Sequence, residues 1–294
     1  FRWQNGAMQR WILGARPRTF PAAIVPVAVG TGVAAESGVV WWRALLALVV
    51  ALALQVGTNY SNDLADGVRG TDGPDRTGPR RLVGSGMASP AEVRFAAGVA
   101  FTVAAASGLI LAAVVTPWLL LVGVASIAAG WFYTGGPRPY GYLGLGEVFV
   151  FVFFGLVATV GSAYIHTDEI NGLAVLAGAA VGLLACALLV VNNLRDIATD
   201  EAAEKRTLAV RIGERRTRIL YVVTLDGGLI LGSLCALERP WALLTLAGGF
   251  TAGPAIRSVL RGVRGTDLIP ELDRTARTQM LTGILLAIGL SVPM

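Results

Sequence analysis

Long apolar runs alternate with short polar segments along the whole of this 294-residue chain. A helix needs about 20 apolar residues to cross the roughly 30 Å of hydrocarbon in a bilayer, so runs of that length predict membrane-spanning helices. The predicted spans are residues 18–38, 43–64, 91–114, 117–134, 143–164, 170–194, 217–237, 240–260 and 276–293. The pattern predicts an all-α polytopic membrane protein whose nine transmembrane helices form one domain over residues 1–294.

The composition agrees with this interpretation. Apolar residues make up 54% of the chain and charged residues only 15%, whereas soluble domains average about 25% charged residues. The two cysteines, Cys186 and Cys235, lie in apolar runs without the spacing of a metal site, so we expect inert buried thiols.

The basic residues fall on alternate sides of the predicted spans. If the N-terminus is cytoplasmic, Arg43 and Arg239 are the only Lys or Arg residues placed on the outer side. This asymmetry obeys the positive-inside rule, so we predict a cytoplasmic N-terminus. The same orientation puts the polar segments after the second and sixth spans on the cytoplasmic face. The lone histidine, His166, falls on a predicted outer loop, where we expect a surface residue.

Those two polar segments share a pattern. The first is NYSNDLADGVRGTD at 59–72, and the second is NNLRDIATDEAAEKRT at 192–207. Asn62 and Asp66 are four residues apart in the first, as are Asp196 and Asp200 in the second. Residues at this spacing lie on the same face of a helix, so each pair can present its oxygens to one point.

The side chains in these segments indicate a metal and phosphate site. Oxygen ligands without His or Cys suit Mg²⁺ and disfavour Zn²⁺, and Mg²⁺ is typically held by one or two carboxylates together with substrate phosphates. Nearby arginine and lysine side chains can bind phosphate oxygens. Asp63 ranks below Asp66, because it points about 100° away from Asn62 on a helix. The candidate ligands are Asn62, Asp66, Asp72, Asp196 and Asp200.

The segment YTGGPRPYGY after the fourth span has two interpretations. Tyr133 and Tyr140 either line a cavity, where aromatic faces stabilise a cation, or simply border a tight turn at the membrane interface. Glu147 lies just inside the fifth span, a costly place for a charge. It is therefore either part of a site or the partner of an arginine.

At these residues the chain resembles the UbiA superfamily of intramembrane prenyltransferases. The resemblance rests on ARPRTFPAAIVPV, NYSNDLADGVRGTDGPDRTGPRRLVGSG, YTGGPRPYGYLGLGEVFVFVFFG and the second acidic segment, and it covers nearly the whole chain. Within the superfamily, it is most similar to the members that act on 1,4-dihydroxy-2-naphthoate in menaquinone synthesis. The resemblance implies nine transmembrane helices around a central cavity, capped by cytoplasmic loops and helices, in a bacterial cell membrane.

The resemblance also implies an activity. A polyprenyl group would pass from polyprenyl diphosphate to 1,4-dihydroxy-2-naphthoate, with loss of CO₂ and release of diphosphate, giving a demethylmenaquinol. Two Mg²⁺ ions, with Mn²⁺ as a substitute, would bind at the five candidate ligands, and no nucleic acid would be involved. The implied catalytic residues are Asp66, Asp72, Asp196 and Asp200. The implied substrate-binding residues are Asn62, Arg69, Lys205, Arg138, Tyr133, Tyr140 and Asn193.

Three alternatives stay open at this point. The first is that the protein is a related prenyltransferase that acts on another aromatic acceptor, such as p-hydroxybenzoate. The second is a CDP-alcohol phosphotransferase, an enzyme class that also uses intramembrane aspartates and a metal, although most of the aspartate pattern of that class is missing here. The third is a transporter, in which we expect acidic residues at mid-membrane depth or inverted repeats, whereas the charge clusters of this chain lie at one face. The lipid bilayer is a partner in every case.

Overall fold

The computed structural model describes residues 4–71 and 80–293. Asp72 and the rest of the glycine-rich loop up to residue 79 lie outside these residues. The described part of the chain is helical and contains no β-strand, which confirms the all-α prediction.

Eleven α-helices make up most of this part of the chain. They are α1 (Gln4–Ala15), α2 (Pro21–Val33), α3 (Trp41–Arg69), α4 (Pro90–Val114), α5 (Trp118–Phe132), α6 (Gly146–Val150), α7 (Ala158–Thr167), α8 (Gly172–Ala202), α9 (Leu208–Leu234), α10 (Gly249–Leu260) and α11 (Ile269–Ser291). A π-helical segment (Phe151–Val157) joins α6 to α7, and a 3₁₀ segment (Pro240–Gly248) leads into α10.

Six helical stretches among the described residues are long and apolar enough to cross a membrane, which supports a multi-pass membrane protein. They are Trp41–Arg69, Pro90–Val114, Gly146–Thr167, Gly172–Ala202, Leu208–Leu237 and Pro240–Leu260. The apolar helices α2 and α5 have only 13 and 15 residues. The predicted number of nine spans is therefore not confirmed. Helix α2 is shorter than the predicted span 18–38 because 3₁₀ turns, Pro17–Thr19 and Ala35–Ser37, occupy the two ends of that span.

Helix α8 is the central element of the fold. In its apolar window 72% of the residues are buried, against at most 39% in the other five stretches. Close contact with the π-helical segment depends on glycine, because a Cβ on Gly155 would overlap the Cα of Gly182. Small residues of this kind let helices in a membrane approach closely.

Both acidic segments are helical, and both helices continue past the predicted spans. Helix α3 runs to Arg69 and ends at Gly70, whose φ of 74° is left-handed, while α8 runs to Ala202. The four-residue spacings therefore lie on helices, as the sequence predicts. The Asn and Asp pairs occupy the last turns of two long helices, so the cavity that they border lies at one end of the bundle.

The expectation for His166 was wrong. Its ring is buried, and Nδ1 accepts a hydrogen bond from the backbone N–H of Val40 at 3.3 Å. Arg43 donates to the carbonyl of Ile165 at 2.7 Å. The histidine therefore joins the end of α7 to the start of α3. A position predicted to lie on an outer loop is instead part of the helix packing.

Candidate active site

A cavity of about 830 Å³ lies between α2, α3, the α5–α6 connection and α8. Most of the candidate site residues line it, although they come from both halves of the sequence. These residues are Asn62, Asp66, Tyr133, Tyr140, Asn193, Asp196, Asp200 and Lys205. The prediction that the two acidic segments approach each other in space is therefore correct for the described residues.

Helix α3 contributes the first pair of ligand candidates, and neighbouring hydroxyl groups orient both. The hydroxyl of Thr134 donates to Oδ1 of Asn62 at 2.7 Å. The hydroxyl of Tyr142 donates to Oδ1 of Asp66, also at 2.7 Å. The side chains of Asn62 and Asp66 are both buried. Asp66 keeps its second oxygen, Oδ2, and the single side-chain oxygen of Asn62 keeps a second lone pair, so both residues can still contact a cation.

Lys205 joins the two halves of the site. Its Nζ lies 3.5 Å from Oδ2 of Asp66 and 3.8 Å from Oδ1 of Asp200. Burial disfavours the charged ammonium, but the two carboxylates outweigh burial and raise the pKa of Lys205 above its ordinary value. The two aspartates therefore already share one positive charge between α3 and α8.

Tyr142 is the principal residue that the sequence interpretation missed. Burial, and then the negative charge of Asp66, raise the pKa of its phenol, so the hydroxyl stays protonated and can donate. The ammonium of Lys205 also lies 5.2 Å from the centre of its ring. Tyr142 lies two residues after Tyr140 in the same aromatic segment, but nothing in the sequence distinguished it as a site residue.

Asp196 is held differently from Asp66. Arg195 donates to both carboxylate oxygens, with Nε 2.7 Å from Oδ1. Asn192 accepts from the same guanidinium at 3.0 Å. Arg195 lines the cavity together with other basic residues, so the carboxylates face a wall that can bind phosphate oxygens. The other arginines in this lining are Arg16, Arg18, Arg80 and Arg81.

Two predicted substrate-binding arginines are not in the cavity wall. Arg138 is exposed, and the structure does not bring it to the carboxylates. The guanidinium of Arg69 donates to the carbonyls of Thr134 and Gly136 and covers the ring of Tyr142 at 5.2 Å. Arg69 is the last residue of α3, and these carbonyls hold its guanidinium against the α5–α6 connection and outside the cavity wall.

Asp63 has a structural role in this conformation. It is fully buried, and its two oxygens accept the backbone N–H groups of Leu82 and Val83 at 2.8 and 2.9 Å. A carboxylate that accepts two backbone donors fixes the chain after the glycine-rich loop against α3. Its placement agrees with ranking Asp63 below Asp66 as a ligand.

A polar wall continues deeper along α3. Gln55 and Asn59 follow the helical face of Asn62, and both line the cavity with Thr19. The amide of Gln55 donates to Thr19 at 3.0 Å, and the amide of Asn59 donates to Thr19 at 3.0 Å and to the carbonyl of Ala15 at 2.8 Å. The amide nitrogen atoms are thus occupied, which leaves the carbonyl oxygen of Gln55 as an acceptor.

Aromatic rings form another side of the cavity. Tyr140 stacks on Phe149 with 3.8 Å between ring centres, and Phe149 stacks on Phe153 at 5.9 Å. Tyr133 meets Tyr140 edge-on at 5.4 Å. The π-helical segment carries Phe153 in this stack. The π-electron faces provide negative potential next to the carboxylates without a nucleophile.

Glu147 is partnered by an amide and not by an arginine. Its Oε1 accepts from Nδ2 of Asn193 at 3.0 Å, and its Oε2 has no hydrogen-bond partner among the described residues. Asn193 lines the cavity, whereas Glu147 is behind it. The bond fixes the Asn193 amide with its nitrogen toward Glu147.

The donor atoms fit a hard divalent cation whose coordination shell is completed by oxygens of a bound ligand. Asn62, Asp66, Asp196 and Asp200 supply oxygen atoms only, and a cation, the Lys205 ammonium, already lies between two of them. Within residues 4–71 and 80–293, no three His, Cys, Asp or Glu side chains are grouped as a ready-made metal site. Mg²⁺ does not need such a cage, because it commonly retains waters and takes phosphate oxygens as ligands.

Comparison with known sequences identifies relatives over almost the full length. A Mycobacterium tuberculosis protein named 1,4-dihydroxy-2-naphthoate octaprenyltransferase is 47% identical over 279 residues, which covers 95% of each chain. Proteins of the same name from Escherichia coli and Bacillus subtilis are 37% and 30% identical. The alignments cover 98% and 94% of this chain, and 96% and 90% of those proteins.

Solved structures share the fold at low sequence identity. A UbiA homolog from Archaeoglobus fulgidus, bound to GPP and Mg²⁺, aligns with a TM-score of 0.73 at 17% identity, covering 95% of this chain and 98% of that one. An apo UbiA homolog from Aeropyrum pernix aligns with a TM-score of 0.71 at 15% identity, covering 91% and 97%. The model of the UbiA prenyltransferase family matches residues 23–268. The chain therefore belongs to the UbiA prenyltransferase family.

Proposed function

We propose that this protein transfers a polyprenyl group from polyprenyl diphosphate to 1,4-dihydroxy-2-naphthoate, with loss of CO₂ and release of diphosphate. The name shared by relatives at 37–47% identity supports this acceptor and this reaction. The observation that carries the proposal is the convergence of Asp66 and Asp200 on Lys205 at one end of the large cavity. This arrangement suits a diphosphate whose apolar chain continues into the cavity.

The acidic end of the cavity is the proposed diphosphate subsite. Asn62, Asp66, Asp196 and Asp200 would hold two Mg²⁺ ions, with Mn²⁺ as a substitute, and Asp72 is proposed to join them from outside the described residues. The Archaeoglobus fulgidus neighbour is bound to GPP and Mg²⁺, which supports this choice of metal and ligand. When bound, Mg²⁺ supplies positive charge that stabilises the leaving diphosphate.

The chain's own groups prepare this subsite before substrate arrives. Tyr142 and Thr134 donate to Asp66 and Asn62, which fixes the orientation of the Asp66 carboxylate and of the Asn62 side-chain carbonyl. The ammonium of Lys205 and the guanidinium groups in the lining donate to the diphosphate. Preorganised cations of this kind lower the barrier most when the leaving group develops charge.

The opposite part of the cavity would hold the two carbon skeletons. The tail of the donor lies among apolar lining residues that include Leu54, Phe153 and Phe154. As the allylic C–O bond breaks, the rings of Tyr140 and Phe149 stabilise the positive charge on carbon. A ring carbon of the naphthoate then forms the new C–C bond, and the carboxylate leaves as CO₂. The wall formed by Gln55, Asn59 and Thr19 can accept a phenolic hydroxyl of the acceptor.

The membrane orientation belongs to the same proposal. With the N-terminus and both acidic segments on the cytoplasmic face of a bacterial membrane, nearly all basic residues obey the positive-inside rule. The whole chain, residues 1–294, would act as one catalytic domain. A cysteine-labelling scan with a membrane-impermeant reagent tests this orientation, and an acidic segment labelled from outside intact cells would contradict it.

A direct assay tests the proposed reaction. Purified protein in detergent is incubated with Mg²⁺, a radiolabelled polyprenyl diphosphate and, in separate reactions, 1,4-dihydroxy-2-naphthoate, p-hydroxybenzoate or homogentisate. We expect a decarboxylated prenyl naphthalenediol and diphosphate with the first acceptor. Efficient product formation only with a benzenoid acceptor would overturn the acceptor assignment. If no diphosphate is released with any acceptor, the assignment as a prenyltransferase would be wrong.

A further inference from the structure

A second cavity of about 190 Å³ lies on the opposite face of α3 from the proposed active site. Ser61 and Arg69 of α3, Arg94 of α4 and Trp131 of α5 contribute to its wall. None of these four residues lines the large cavity. Here this second cavity is called the α3–α4 groove, and it opens at the same end of the bundle as the two acidic segments.

The floor of the groove contains a polar group with no partner. Ser61 is only 3% exposed, and its hydroxyl makes no hydrogen bond within the described residues. Thr102, Ser126 and Ser233 each donate to the carbonyl four residues earlier, whereas Ser61 makes no such bond, and neither do the buried hydroxyls of Thr31, Thr159 and Thr282 elsewhere in the helices. A buried hydroxyl without a partner costs free energy, which a ligand with a polar headgroup recovers.

The rim of the groove carries positive charge. Arg94 is exposed, and its guanidinium makes no ion pair or hydrogen bond with any described residue. Arg69 contributes a second guanidinium, which donates to two backbone carbonyls. No Asp or Glu side chain is part of the groove wall among the described residues. The chemistry of the rim therefore favours an anion.

The surroundings indicate that this anion is attached to apolar chains. Val68, Phe95 and Phe132 directly precede or follow Arg69, Arg94 and Trp131 in the sequence, and they are 62%, 75% and 49% exposed. Exposed large apolar side chains on membrane-spanning helices contact lipid tails. Arginines at the end of such helices contact headgroups. A soluble phosphate would gain nothing from the apolar border.

We propose that the α3–α4 groove binds the headgroup of an anionic phospholipid, with its phosphate between Arg94 and Arg69 and a headgroup hydroxyl at Ser61. Phosphatidylglycerol has this chemistry: a charged phosphodiester followed by two hydroxyl groups. Lys and Arg residues near an anionic membrane surface each contribute about 1 kcal/mol to binding.

The groove is linked to the large cavity through Arg69. Arg69 holds the carbonyls of Thr134 and Gly136 and covers the ring of Tyr142. Thr134 and Tyr142 supply the hydroxyl groups that donate to Asn62 and Asp66. A phosphate beside Arg69 therefore restrains the loop that orients the acidic ligands. This coupling rests on the proposed function, whereas lipid binding itself does not.

Binding is tested first, without any activity measurement. Native mass spectrometry of the full-length protein in mixed micelles counts the phosphatidylglycerol retained relative to phosphatidylcholine. We expect Arg94→Gln to retain about fivefold less phosphatidylglycerol, which is the effect of one arginine near an anionic headgroup. Arg261→Gln, which removes an exposed arginine at the end of α10, is the matched control and should change nothing. Equal retention by the wild type and Arg94→Gln would overturn the proposal.

Further experiments distinguish a lipid phosphate from a soluble one and test the site with a second variant. Ser61→Ala should lower phosphatidylglycerol retention in the same direction while leaving both arginines in place. Glycerol 3-phosphate or inorganic phosphate at millimolar concentration should not displace the lipid, and full displacement would show a soluble ligand instead. In vesicles, turnover should rise with the phosphatidylglycerol fraction in the wild type and in Arg261→Gln, but not in Arg94→Gln. Lipid binding without this rise in turnover would overturn the proposed coupling to the active site but would still support the lipid-binding site.

Discussion

Tyr142→Phe is the most informative single substitution at the active site. It removes the hydroxyl that donates to Asp66 at 2.7 Å and keeps the ring beside Lys205 and Arg69. A hydrogen bond to a charged group is worth about 1.5–3 kcal/mol. If Asp66 acts on the developing charge of the diphosphate, losing its orientation should lower kcat/KM by about 10- to 150-fold.

The matched control is Tyr140→Phe, which likewise deletes a phenolic hydroxyl, two residues earlier in the chain. The hydroxyl of Tyr140 donates to the backbone carbonyl of Ala129 at 2.7 Å, and its ring stays in the aromatic stack. We expect kcat/KM to change by less than about threefold, because no acidic ligand loses a partner. The assay measures labelled prenyl transfer against Mg²⁺ concentration, and Tyr142→Phe should also need more Mg²⁺.

Equal kcat/KM for Tyr142→Phe and Tyr140→Phe, with unchanged Mg²⁺ dependence, would refute this reasoning. It would mean that Asp66 is positioned without Tyr142, or that Asp66 does not act in the rate-determining step. Thermal unfolding of both variants excludes loss of folded protein as the cause of any difference.

Three other predictions concern the metal, the acceptor wall and the helix packing. Chelation with EDTA should stop turnover and Mg²⁺ should restore it, while activity that persists in EDTA would contradict the metal assignment. Gln55→Leu should raise KM for the naphthoate about 10-fold and leave KM for the donor unchanged, since one hydroxyl acceptor is lost; equal changes in both constants would contradict the acceptor role. Gly155→Ala should cost about 1–3 kcal/mol in stability, because its Cβ would overlap the Cα of Gly182. Gly161→Ala, with open space at its Cβ, is the control, and equal melting temperatures for these two variants would rule out the packing argument.

The helical architecture could be predicted from the sequence because apolar run length is a direct consequence of bilayer thickness. The ends of the helices could not. Helices α3 and α8 continue past residues 64 and 194 with polar side chains, since the acidic segments cap the cavity and do not need an apolar environment. The same limit applies to the number of spans. Helices α2 and α5 are too short for a full crossing, and α11 has 23 residues but is not among the six stretches that are both long and apolar enough.

The helical placement of the acidic residues was predictable for a related reason. A four-residue spacing on a helix fixes a shared face, so the pairing of Asn62 with Asp66 and of Asp196 with Asp200 follows from the sequence alone. Residues that act through them left no such pattern. Tyr142 donates to Asp66 from the segment that connects α5 to α6, and Arg69 donates to backbone carbonyls of the same connection. The sequence alone does not reveal the path of this segment.

Equilibrium binding of a non-reactive donor analogue tests the central claim most directly. Geranyl S-thiolodiphosphate binding to detergent-solubilised protein is measured by calorimetry with and without Mg²⁺, for the wild type, Asp66→Asn, Asp200→Asn and the double variant. One shared site predicts Mg²⁺-dependent binding that either single substitution removes, with no further loss in the double variant. Binding that withstands both substitutions, or that falls by independent and additive steps, would contradict the account.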